Sequence, residues 1–273
     1  DAQKNTLLPK IATGELRIQS MGVTEPTTGS DTTQLKTTAV KKDGRWVING
    51  QKVWISRIQH SDLMILLART TPADQVTKRS EGLSCFLIDL KQAIGNGLTV
   101  RPILNMVNHE TNELFFDNLE IPEDALLGEE GKGFKTLLDG LNAERVLIAA
   151  EAIGIGKSAL ARATQYAKER IVFGRPIGKN QAIQHPLAEC WSELFAAELM
   201  TLHAAELYDA NQPCGAKANA AKYLAADAGF HACDRAIRTH GGMGYAAEYH
   251  VERYFREMVA TQLAPVSREM ILN

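Results

Sequence analysis

The sequence predicts an α+β chain of two domains: an antiparallel β-sandwich or barrel, then a four-helix-bundle-like α domain. Three observations carry this. Up to about residue 125, short apolar-polar alternating runs follow one another without intervening helices. After Pro122 the apolar residues recur at three- and four-residue steps. The later segments are long and joined by short connections, as in a bundle. The boundary therefore falls near residue 130, with 1–130 the β domain and 131–273 the helical one.

In the first part, TTAVKK, RWVI and QKVWIS read as a three-strand meander. Asp43-Gly44 and Asn49-Gly50 are pairs that accept the positive φ of two-residue hairpin turns. DLMILLART, LSCFLIDL, LTVRPIL and NELFFDNLEI supply four more strands, seven in all. In the second part a long amphipathic helix runs through GFKTLLDGLNAERVLIAAEAIG and beyond. Two Ala- and Leu-rich helices follow over 180–210 and 216–239, parted by Asn211-Gln212-Pro213. Residues 134–260 are expected to be almost wholly helical, without strands beyond residue 140.

Composition narrows the function. A net charge of −2 gives no electrostatic reason to bind nucleic acid, and no apolar run approaches a membrane span. Cys85, Cys190, Cys214 and Cys233 lack CxxC or zinc spacing, so reduced, mostly buried thiols of a cytosolic-type protein are expected. No metal site is expected. The ends, DAQKNTLLPK and SREMILN, read as cut rather than finished.

Four strings carry possible chemistry. Met21-Gly-Val-Thr-Glu-Pro-Thr-Thr-Gly-Ser-Asp31 is a strand entering a loop whose hydroxyls and amides suit a polar ligand; a plain turn-rich loop is the alternative. Trp54-Ile55-Ser56 places an aromatic beside a small hydroxyl, which suits a flat heterocycle, although a sheet Trp is usually core. Arg170-Ile-Val-Phe-Gly-Arg-Pro-Ile177, with Gln181, breaks two helices and offers guanidinium forks suited to a diphosphate, or simply helix-end charge. Arg238-Thr-His-Gly-Gly-Met-Gly-Tyr245 is a glycine turn where backbone meets a cofactor, or a C-cap.

In this order and spacing, TEPxxGSD, NGxKxWIS, ERxxFGxPI and GGxGY together resemble the acyl-CoA dehydrogenase family along essentially the whole chain. The resemblance implies a middle β domain and a C-terminal helical domain; the family's N-terminal helical domain and final helix have no match here. It also implies FAD and a homo-oligomer, a dimer of dimers. Met21, Val23 and Thr24 would face the flavin, Ser30 the flavin or the acyl-CoA arm, and Trp54, Ile55 and Ser56 the ring and its N5. Arg170, Gln181, Arg238, Gly241 and Gly242 would hold the diphosphate and adenosine side from a neighbouring subunit. Arg145 and Tyr245 would touch substrate with Ser30.

The base is the point of departure. Many members carry it in a tyrosine-glutamate-glycine-threonine string after the helix matching VERYFRE, where this chain has Gln262-Leu-Ala-Pro-Val-Ser267. A minority place a Glu before an Arg at the start of the first long C-terminal helix, and Glu144-Arg145 match that arrangement. Glu144 is therefore the expected base, with Glu151 as fallback and a solvated helix-dipole carboxylate as the plain alternative. The implied reaction is α,β-dehydrogenation of an acyl-CoA, with an electron-transferring flavoprotein as acceptor. An acyl-CoA oxidase and a non-catalytic member retaining FAD are the alternatives. The implied location is the cytoplasm in a bacterium, and the mitochondrial matrix or peroxisome in a eukaryote.

Overall fold

The computed structural model describes residues 2–107 and 110–273 and divides into two compact units, Asp1–Asp139 and Gly140–Asn273. The first holds α1 (Ala2–Ala12), β1 (Ile18–Gly22), β2 (Thr38–Lys42), β3 (Arg45–Ile55), β4 (Leu63–Arg69), β5 (Leu83–Asp89), the one-turn α2 (Leu90–Ala93), β6 (Leu98–Pro102), β7 (Asn112–Pro122) and β8 (Leu126–Leu127). These strands form one sheet in the order β6-β7-β3-β2-β4-β5-β8, with β1 on β4. Alternating residues such as Ile48, Met64, Leu66, Phe86 and Leu114 fill its core. Trp46 packs edge-on to Phe86 there, at 5.1 Å between rings.

The sheet is mixed rather than wholly antiparallel. β1 runs parallel to β4, and β2 meets β4 in parallel at Thr38 and Arg69. β1 reaches β4 through a long excursion, so no hairpin dictates an antiparallel direction. Asp43 and Gly44, at φ 50° and 75°, make the expected turn between β2 and β3. Asn49-Gly50 does not. β3 continues straight through that pair with a register shift between Ile48 and Gly50. Gly50, at φ 147°, is glycine because a Cβ there would lie 2.5 Å from Thr37 Oγ1 and 2.6 Å from Thr37 Cα. Two expected strands are thus one, and the eleven-residue α1 is a helix the strand-like pattern did not suggest.

The second unit holds most of α3 (Gly133–Glu169), β9 (Ile171–Val172), β10 (Arg175–Pro176), α4 (Gln181–Asp209), α5 (Gly215–His240), α6 (Val251–Leu263) and α7 (Arg268–Ile271). α3, α4, α5 and α6 share a core built largely of alanine, including Ala152, Ala159, Ala197, Ala225 and Ala232, with Met258. Alanine favours the helix and lets axes approach closely. Gly156 and Gly229 mark the tightest crossing: a Cβ on Gly156 would lie 3.0 Å from Gly229 Cα.

One correction belongs here. The break between α3 and α4 is a two-stranded ribbon turned by Phe173 and Gly174 at positive φ, so strands do occur beyond residue 140. The compact units part after Asp139. Phe134 and Leu137, in the first turns of α3, pack with Leu35, Leu67, Leu83 and Cys85 of the β unit.

Candidate functional site

In the β unit the structure brings the TEP loop and the WIS string side by side. Thr24 carbonyl accepts the Val53 amide at 2.9 Å, and Ser20 Oγ donates to the Ser56 carbonyl at 2.9 Å. Met21 stands exposed on β1, Val23 and Thr24 are half-buried, and Ser30 is exposed farther along the loop. β3 carries one extra residue against β7 between Lys52 and Ile55, a bulge. Trp54 sits on it at φ 62° and is 60% exposed, so it is not a core tryptophan. A bulky residue at positive φ is strained and points to a constraint beyond packing. Ser56 follows, half-buried. Ile55 departs from expectation: its side chain is 2% exposed in the core, and its carbonyl accepts from Asn112 Nδ2 at 3.1 Å. Its side chain offers no face to a ligand.

Beneath these two strings lies a pair that the sequence reading did not single out. Lys52, fully buried, donates to Glu25 Oε1 and to the Val23 carbonyl, each at 2.9 Å. Glu25 also accepts the Lys36 amide at 2.6 Å and the Thr37 amide at 2.9 Å. Burial pushes the Lys52 amine down to about 8 against the pull of Glu25. Burial raises the Glu25 carboxyl, but Lys52 and the two amides together outweigh it and hold the group below its ordinary range. Both stay ionised at neutral pH. The available signal was a lysine in a strand with valine and tryptophan around it, and a glutamate caught between Thr and Pro.

In the helical unit Glu144 lies on α3, eleven residues past its start at Gly133 and well beyond the first turn. A helix-dipole role, which fades within one turn, does not account for it. Glu144 is half-buried, and that burial raises its carboxyl above the ordinary range while Arg145 pulls the other way. Glu151 is exposed. Arg145 Nη1 donates to Asn142 Oδ1 at 2.7 Å, while its buried Nε has no partner. A partnerless buried N–H is uncommon and calls for a reason.

Arg170 follows α3, and its exposed guanidinium has no hydrogen-bond or ion-pair partner among the described residues. Gln181, the first residue of α4, is exposed. Gly241 and Gly242 open the turn after α5. Gly241 has φ 60°, and a Cβ on either would meet nothing within 4 Å, so the bare backbone faces open space. Buried His240 joins these two places. It stacks on Tyr166 at 4.3 Å, four residues before Arg170, and its Nδ1 is 2.7 Å from the Ala236 carbonyl. Arg238 differs from expectation, because Asp234 already holds its Nε at 2.7 Å. Tyr245 is 90% exposed and makes no contact that would assign it a ligand.

With this geometry in hand, the comparisons are specific. Residues 20–119 match the acyl-CoA dehydrogenase middle domain, and 131–270 match its C-terminal domain. An acyl-CoA dehydrogenase of Bacillus subtilis is 39% identical over 99% of this chain and 70% of its own length. The solved acyl-CoA dehydrogenase of Geobacillus kaustophilus, 31% identical, superposes with a TM-score of 0.95 over 100% of this chain and 71% of that one. The FAD complex of PigA, 26% identical, gives 0.91 over 100% and 70%. A mixed β domain followed by this helical domain is that of flavin-dependent oxidoreductases. The chain belongs to the acyl-CoA dehydrogenase family.

FAD is the family's cofactor, and the residues present fit it. Exposed Met21 and Trp54 offer an apolar surface for a flat ring. Unpaired Arg170 and the bare Gly241-Gly242 backbone offer donors for a diphosphate. Among the described residues, no helix is long and apolar enough to cross a membrane.

Proposed function

We propose that this protein oxidises a saturated acyl-CoA to its trans-2-enoyl-CoA, with Glu144 as the base. The observation that carries this is the desolvated carboxylate on α3, set next to a guanidinium with a donor to spare. FAD, when bound, supplies the acceptor for the hydride that leaves the β-carbon with its electron pair. Glu144 takes the α-proton onto its carboxylate, and the electrons of that C–H bond become the new double bond. Burial raises the basicity of the carboxylate toward neutrality, which suits it to this proton. Arg145 pulls the other way and limits the rise.

The other residues bind and orient. Trp54 would pack against the ring, Met21, Val23 and Thr24 would line it, and the Ser56 hydroxyl would hydrogen-bond N5. Arg170, Gln181 and the Gly241-Gly242 backbone hold the diphosphate and adenosine side of a neighbouring subunit's FAD, in a dimer of dimers. Ser30, Arg145 and Tyr245 contact the acyl-CoA, and an electron-transferring flavoprotein takes the electrons onward. This part rests on the matched motifs and on the exposure of Met21, Ser30, Trp54, Arg170, Gln181 and Tyr245.

The test is anaerobic mixing of the full-length flavoprotein with acyl-CoAs. Glu144→Gln keeps shape and hydrogen bonding but accepts no proton, so flavin reduction falls by about 10²-fold or more while FAD stays bound. Glu151→Gln changes little. The acid limb of kcat/KM lies above the ordinary glutamate value of 4.5, because catalysis needs the ionised form of a group that burial keeps protonated to higher pH. Near-parental reduction of Glu144→Gln overturns the assignment.

A further inference from the structure

We propose that the buried Lys52–Glu25 ion pair is the positioning element that sets the flavin-facing edge of the β unit. It would do so by locking the Met21–Thr24 strand and the Trp54 bulge into one register. The inference rests on the reading of that edge given under the proposed function.

The pair reaches both sides of the edge from below. Lys52 lies on β3 at the last regular pairing before the bulge, opposite Leu114; the next pairing is Ile55 with Asn112. Its stem runs under Gly22, where a Cβ would lie 3.6 Å from Lys52 Cγ. Its ammonium then binds the Val23 carbonyl and the Glu25 carboxylate, the segment that leaves β1. Glu25 in turn collects the amides of Lys36 and Thr37. Thr37 meets β3 again, through Oγ1 to the Gln51 carbonyl at 3.2 Å and through its close approach to Gly50. One ion pair therefore ties the TEP loop, the Thr37 segment and the start of the bulge together. Val53, immediately after Lys52, adds the amide bond to Thr24.

An apolar residue at position 52 would fill this space without fixing a direction. An ion pair with four defined bonds fixes it, which is the use to which buried charges are best suited. Trp54 is two residues from the lock and adopts a backbone conformation that ordinary strand geometry would not hold. Loss of the lock would let β3 relax toward regular pairing, which turns Trp54 off the exposed edge.

The experiment uses the full-length protein and reads FAD affinity, the visible flavin spectrum and the melting temperature separately. In Lys52→Met, and in Lys52→Met/Glu25→Gln where no lone charge remains buried, the FAD dissociation constant is expected to rise at least tenfold. The flavin absorption band should shift, and Trp54 fluorescence should lose its quenching by bound flavin. Lys52→Arg, which keeps the charge, should recover part of the affinity. Trp54→Ala and Ser56→Ala are run beside them. If these two leave FAD affinity unchanged, the flavin reading of the edge fails. If they weaken it while folded Lys52→Met or the double variant binds FAD within twofold of the parent with an unshifted spectrum, the positioning role alone is overturned. Should Lys52→Met not fold, the double variant decides by the same criterion.

Discussion

Lys52 in the β unit and Lys222 in the helical unit are both fully buried, and burial pushes both amines down to about 8. Their surroundings differ. Lys52 is bonded to a carboxylate and a carbonyl, and the carboxylate is itself saturated by amides. Lys222 donates to the Val266 carbonyl at 2.7 Å and, among the described residues, is bonded to no carboxylate; Asp227 is held by Arg268 and Gln262. The same unit leaves Arg145 Nε and Asn219 Oδ1 buried without partners. The orphan among the described residues of the β unit, Glu110 Oε2, sits 2.5 Å from His60 Nε2. The β unit settles its buried charges internally, which suits a preformed surface. The helical unit leaves a buried donor open on Arg145, the residue after Glu144, where desolvation suits the base proposed above.

The comparison breaks most easily at Lys52. Lys52→Met should destabilise the protein by about 3–5 kcal/mol, since it strands a buried carboxylate. Urea unfolding measures this, and a loss below about 1 kcal/mol would mean the pair is not what organises the β unit. Next comes Arg170, which is free where Arg238 is paired. Arg170→Ala should weaken FAD retention by about 1.5–3 kcal/mol. Its unfolding free energy should stay within about 0.5 kcal/mol. Titration of apoprotein with FAD and an unfolding curve give the two numbers.

The smallest effect is at Lys222. Lys222→Met leaves only a carbonyl unmet, and relief of the buried ammonium offsets much of that, so a net change of about 1 kcal/mol is expected. Its signature is in pH. Folded Lys222 releases its proton near 8, whereas the unfolded chain holds it to 10.5. Its contribution is therefore lost as pH falls through about 8 and fully present above 10.5. The parent should gain on the variant across that window; a gap flat in pH would show that Lys222 is not desolvated.

Much of this was legible because it is written locally. Asp43-Gly44 declared its turn, the change of period declared the two units, and the spaced motifs declared the family. Reading failed where a distant residue decides. Gly50 answers to Thr37, not to a turn; Phe134 and Leu137 answer to the satellite core of the β unit; Arg238 answers to Asp234. Trp54 and Lys52 take each other's usual places, the aromatic outside and the charge inside: Lys52 keeps the inward phase of Trp46 and Ile48, and the bulge after it turns Trp54 outward. Nothing local to a strand announces a bulge. Glu144 was found by motif, yet its desolvation is a property of the folded bundle.

The straight passage of β3 through Asn49-Gly50 bears on how the protein ages. In a flexible chain this dipeptide deamidates readily, because the glycine amide nitrogen swings onto the preceding side chain and closes a succinimide. Here the strand is extended, and Asn49 is clasped from both ends: Oδ1 accepts the Asn118 amide at 2.8 Å, and Nδ2 donates to Asn118 Oδ1 at 3.3 Å. Ring closure requires β3 to part from β7. Aspartate accumulating at position 49 during storage would then serve as a slow chemical clock, counting the moments when the middle of the sheet has come undone.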